Sequence, residues 1–185
     1  MSKPGRAVHY VVDQSNRIVG VDENWDASAT EQAQPGGAPT SDRIIGRPLE
    51  EFLAGDATKM FVRAALDAAR LLGKSRRLPY RCDGPHERRR FEMVISPLAG
   101  GNVKVEHVLV ETLPRIPRIP SKARSHPELS AGWRCSQCLN VRLVGSKEWG
   151  QSNPDLSAPL AQDVCPSCAR RLFEPGPAHP FVLGD

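Results

Sequence analysis

The sequence predicts an α+β fold, an antiparallel sheet with helices on one face, followed by a small module held together by cysteines. Three observations predict it. Apolar and polar residues alternate in short runs at both ends of the first 113 residues, and a long amphipathic helical repeat lies between those runs. Four cysteines in the last third of the 185-residue chain form two Cys-x-x-Cys pairs. The two ends differ enough in chemistry to predict separate domains: a main domain over 7–113, a linker over 114–129, a cysteine module over 130–175 and a tail over 176–185.

The chain opens with a hairpin: His9-Tyr10-Val11-Val12 reads as a strand, Asp13-Gln14-Ser15-Asn16 as its turn and Arg17 to Val21 as the return. Asp22 to Ala33 is polar and suits a helix, with Trp25 free to plug the core, before Pro35, Gly36, Gly37 and Pro39 impose a loop. Ile44 to Leu53 reads as a short helix opened by Pro48 and closed before Gly55. Asp56 is then placed to cap a longer helix in which Met60, Phe61, Ala64, Ala65, Ala68, Leu71 and Leu72 recur at helical spacing until Gly73.

Three strands follow. Leu78, Tyr80 and Cys82 share one face of the first, and Phe91, Met93 and Ile95 one face of the second. In the third, Val103, Val105, His107 and Leu109 lie opposite Lys104 and Glu106. Tyr80, Cys82, Phe91 and His107 are therefore the residues expected to line any pocket. Arg88, Arg89 and Arg90 read as the solvated start of a strand in preference to a phosphate clamp. Cys82, the one unpaired thiol, reads as a buried structural residue, because the charges of Arg81 and Asp83 cancel beside it.

Cys135 and Cys138, then Cys165 and Cys168, stand with 26 residues between the pairs. Two residues between thiols let both sulfurs of a pair face one point about 2.3 Å away, and two such pairs complete a tetrahedron around one zinc ion. Disulfides or redox dithiols are the competing readings; a reducing compartment favours the metal. With four cysteines the site has no open position for water, so the expected Zn2+ is structural. Few apolar residues lie between Ser130 and Asp185, so the metal has to supply most of the module's stability. Arg134, Arg142, Lys147, Arg170 and Arg171 are available to screen the thiolates, and a helix starting at Cys165 would turn its amides toward a sulfur. Leu139 stands where such knuckles often use glycine, which leaves Asn140 to carry a left-handed turn.

Between the two parts, Pro114-Arg115-Ile116-Pro117-Arg118-Ile119-Pro120 favours an extended spacer. The net charge of +4 is concentrated there, in Arg115, Arg118, Lys122 and Arg124, which supports only weak, salt-sensitive nucleic-acid binding. No apolar run reaches the roughly 18 residues of a membrane span, and the start of the chain lacks a signal-peptide core, so a cytoplasmic protein is expected.

Val11-Val12-Asp13, Arg17-Ile18, Asn24-Trp25, Ile45-Gly46-Arg47-Pro48-Leu49 and Leu78-Pro79-Tyr80-Arg81-Cys82-Asp83, in that order, resemble a PAS domain of the small bacterial type over residues 7–113. Trp133 to Cys138, Trp149 and Val164 to Cys168 resemble the zinc-ribbon-like tail of some bacterial signalling proteins. The resemblance implies a sensor or interaction module with a pocket between sheet and helices and room there for an unidentified small-molecule ligand; it does not imply an enzyme, and none is expected. It also implies a protein signalling partner, and a homodimer, if one forms, through the sheet face or the tail. Covalent flavin is disfavoured because Pro48 to Leu53 contains no cysteine, and a haem would have to use His107 or His86. No phosphate-binding loop, nucleophile elbow or His-Glu-x-x-His helix is present. Two other functions compete with this one: a nucleic-acid-binding transcriptional regulator that uses the zinc module and basic linker, and a thiol redox sensor that releases zinc on oxidation.

Overall fold

In the computed structural model, residues 8–23, 25–27, 39–84, 87–114, 131–151 and 160–174 are described. Asn24, His86, most of the Pro-rich basic linker and the tail lie outside them, as does the second half of the polar segment that ends at Ala33.

The opening hairpin forms as its pattern predicts, with β1 (Val8–Val12) antiparallel to β2 (Ile18–Val21). Its turn closes locally: the Asp13 carboxylate accepts from the backbone N–H groups of Ser15 and Arg17, both at 2.8 Å. Asn16 takes the left-handed conformation there, at φ 57°. Trp25 meets Tyr10 edge-on at 6.2 Å and donates its indole N–H to the Pro39 carbonyl at 3.0 Å.

The single helix expected over Ile44 to Leu53 is instead two short pieces, α1 (Ser41–Ile44) and a 3₁₀ turn (Leu49–Phe52) preceded by Pro48. Gly46 separates them at φ 84°, a conformation no helix accepts. The long helix α2 (Asp56–Leu72) does form and ends at left-handed Gly73, but Gly55 is its N-cap and Asp56 is its first residue. The face it buries is rotated from the predicted stripe. Phe61, Val62, Ala65, Leu66 and Ala69 are buried, while Met60 and Leu71 are 72% and 85% exposed. Alanines on both flanks leave the apolar arc too wide for sequence to choose its centre, and the sheet chooses it.

The sheet has five strands in the order β2-β1-β5-β4-β3, where β3 is Arg76–Arg81, β4 is Glu87–Pro97 and β5 is Val103–Pro114. Every pairing is antiparallel. On its inner face Tyr10, Val12, Leu78, Met93, Ile95, Val103 and Val105 pack under the buried side of α2. Arg70 ties the helix to the hairpin turn and to the β4–β5 connection, donating to the Asp13 carbonyl at 2.7 Å, the Asn16 side-chain oxygen at 2.8 Å and the Gly101 carbonyl at 3.0 Å. Pro79 sits on edge strand β3. There the odd-numbered residues turn away from β4, so no ladder bond is missing.

A second sheet of three strands, β7-β6-β8, is built from β6 (Gly132–Cys135), β7 (Val141–Leu143) and β8 (Ala161–Asp163), and the short helix α3 (Pro166–Arg171) follows it. Gly132 is required by close approach: a Cβ there would lie 2.1 Å from the Arg142 carbonyl oxygen. Among the described residues no helix is long and apolar enough to cross a membrane.

Candidate metal centre

Each pair of cysteines is set by its own local turn. At the end of β6, Cys135 donates its N–H to the Asn140 carbonyl at 2.7 Å and accepts at its carbonyl from Leu139 at 3.0 Å, folding Ser136 to Cys138 into a knuckle. Leu139 itself adopts the left-handed conformation, at φ 60°, where Asn140 was expected to. The knuckle holds the strain because both sides of it are hydrogen-bonded. The second pair starts α3, with Cys165 as N-cap and Pro166 as first residue, a position that needs no N–H donor. The Cys165 amide donates to the sulfur of Cys135 at 3.3 Å. The two segments thus meet sulfur to amide.

The sulfurs of Cys135, Cys138, Cys165 and Cys168 all lie within 4.8 Å of one another, and three of the four residues are buried. Four sulfurs each about 2.3 Å from one ion stand about 3.8 Å apart in a tetrahedron. The Cys138 and Cys165 sulfurs are 3.7 Å apart. Without a cation, the cluster shares its protons. Hydrogen bonds from Cys138 and Cys168 hold the Cys135 thiol far below its ordinary range, and donating those bonds pushes Cys138 and Cys168 up. Four adjacent thiolates need a dication to be present together. The group can hold one metal ion such as zinc, with every position filled by protein.

On the same small sheet, the Arg142 guanidinium lies over the Trp133 ring, 4.3 Å from its centre, and over the Trp149 ring at 5.4 Å.

Of the residues expected to line a pocket, Tyr80, Phe91 and His107 come together. Tyr80 stacks on Phe91 at 5.2 Å, and its hydroxyl is hydrogen-bonded to His107 Nδ1 at 2.8 Å. Tyr10, a member the alternation pattern does not distinguish from other inward residues, packs on the other side of His107 at 5.6 Å. Burial pushes both tyrosine hydroxyls up and the His107 imidazole down to about 4. Cys82 is not part of this group. It is exposed just past the last β3–β4 ladder pair, Arg81 with Arg90. A separate open cleft of about 220 Å³ lies between the hairpin turn and α2, with Asn16, Leu49, Leu53, Val62, Arg63 and Leu66 in its walls.

Four of the arginines on β3 and β4 have acidic partners: Arg77 with Glu92, Arg81 with Asp83, Arg89 with Glu87 and Arg90 with Glu111. This charge is largely neutralised within the sheet.

No family model, curated protein or solved structure matches this chain. Its functional reading therefore rests on its own residues.

Proposed function

We propose that the chain is a non-enzymatic regulatory protein, a PAS-type sensor or interaction module with one structural zinc ion in Cys135, Cys138, Cys165 and Cys168, acting through a protein partner. The observation that carries the reading is the cluster of four cysteine sulfurs within 4.8 Å of one another, which would fill all four positions of a zinc ion and leave none for substrate or water. The PAS-type part is supported by the order of elements: a hairpin, short helical pieces, one long helix and three antiparallel strands, joined in one sheet with α2 on a single face. Pairing of four β3 and β4 arginines with carboxylates leaves the large sheet little free charge to add to a nucleic-acid surface, so the nucleic-acid alternative has to rely on the zinc module and the linker alone.

The test is elemental mass spectrometry of untagged protein purified without oxygen, with thiols counted before and after chelation in denaturant. One zinc per chain and four thiols released with it is the expected result. Absence of metal, or fewer than five thiols in the denatured chain, refutes it. Binding of a generic duplex at low salt with a steep salt dependence would replace the protein-partner reading with the nucleic-acid one.

A further inference from the structure

We infer that the metal-bound module is a releasable cover on the β3 edge of the large sheet, seated while the four cysteines hold their metal and lifted when they lose it. The inference rests on the zinc reading above and adds what the metal controls.

An edge strand presents unpaired backbone groups. On β3 the outward N–H groups belong to odd-numbered residues, and Pro79 has none to offer. Arg81 does, and its N–H donates at 2.8 Å to the carbonyl of Gln137, which stands between Cys135 and Cys138 in the knuckle. Gln137 is buried, and the Arg81 guanidinium also reaches the Cys138 carbonyl at 3.5 Å. At the other end of β3, Arg76 is only 2% exposed and donates at 2.9 Å to the carbonyl of Glu174, just beyond the helix that carries Cys168. Near α2, Gly55 leaves room for the Gln162 side chain of β8, whose Oε1 lies 2.0 Å from where a Cβ would stand. Cys135, Cys165, Cys168 and Leu172 close the same buried cluster as Leu78 and the inner face of α2.

These contacts come from residues within six positions of a cysteine ligand, so the metal orders the surface that touches the sheet. Besides the cysteines, the described module buries only Val141 and Leu172 as large apolar residues, in strands of three or four residues and a helix of six. That is too little to fold without metal. The large sheet keeps its own core of Tyr10, Val12, Leu66, Ile95, Val103 and Val105. Arg76 has no carboxylate partner among the described residues, and its buried Nε has no hydrogen-bond acceptor, so lifting the cover returns that guanidinium to water. The interface is therefore held by metal more than by its own polar pairing.

The experiment is amide hydrogen exchange by NMR on the full chain, zinc-loaded and after chelation with thiols kept reduced. On chelation the Arg81 amide and the module amides should lose protection, while Tyr10 and Val105, paired between β1 and β5, keep theirs. The reciprocal test is zinc competition against a chromophoric chelator. Arg81→Pro removes the donor without touching a ligand and should weaken zinc about three- to tenfold, the worth of one such hydrogen bond, whereas Arg81→Ala, which keeps the amide, should weaken it less. An Arg81 amide still protected in zinc-free protein overturns the inference and leaves the zinc reading intact. Simultaneous loss of protection in all five strands also overturns it, because sheet and module would then be one cooperative core. Failure to bind zinc at all overturns both.

Discussion

His107 gives the chain a pH dependence whose size follows from its surroundings. The ring stands on β5 opposite Val8 of β1 and Met93 of β4, with Tyr10 and the Tyr80 hydroxyl against it. Among the described residues no carboxylate forms an ion pair with it, and burial lowers its pKa from 6.5 to about 4. Between those values the unfolded chain binds a proton that the folded chain refuses. Stability from this group is therefore complete above the unfolded value and falls away as pH drops through 6.5 toward 4. Linkage makes the loss about 2 kcal/mol between pH 7 and pH 5. The comparison protein is His107→Leu, which has no proton to take up, and both are unfolded in urea at the two pH values with zinc in excess. Subtracting the variant's loss from the parent's cancels the contributions of the cysteines and of the other histidines. The expected remainder is about 2 kcal/mol; equal losses in the two proteins would show that His107 is already solvated and that the aromatic group does not shield it.

Three further predictions concern the core and the metal centre. Cys82→Ser should leave zinc at one per chain, because the exposed thiol is outside the cluster, whereas Cys135→Ser should abolish stoichiometric binding in the same elemental assay. Gly132→Ala puts a Cβ 2.1 Å from the Arg142 carbonyl and 2.8 Å from the Leu143 Cα, so it should force β6 and β7 apart and weaken zinc at least about tenfold in chelator competition. Leu66→Ala empties a site only 1% exposed beneath α2 and should cost about 2–5 kcal/mol in urea unfolding, with zinc content unchanged.

Each cysteine pair of the cluster was legible because a Cys-x-x-Cys turn is local geometry: two residues between thiols bring the sulfurs together in almost any fold that accepts the turn. The hairpin and the inward run of Val103, Val105 and His107 were legible for a similar reason, since alternation is a property of the strand itself. Position within the assembled chain was not. Cys82 follows Leu78 and Tyr80 in phase, yet it lies beyond the last β3–β4 ladder pair and is exposed. Arg76 has the same phase and could have been assigned inward, but a charged residue is ordinarily read as solvated, and only the packed module shows why this one is buried.

What the sequence alone determined, then, is chemistry and local shape: four cysteines in two Cys-x-x-Cys pairs, a turn at Asp13 to Asn16, a helix that stops at Gly73 and strands that alternate. The tertiary structure decided which side of α2 is buried, which residue of the knuckle turns left-handed, and where the metal module rests. Those outcomes depend on contacts between residues far apart in the chain, such as Arg81 with Gln137 and Arg76 with Glu174, and no local pattern carries a signal for them.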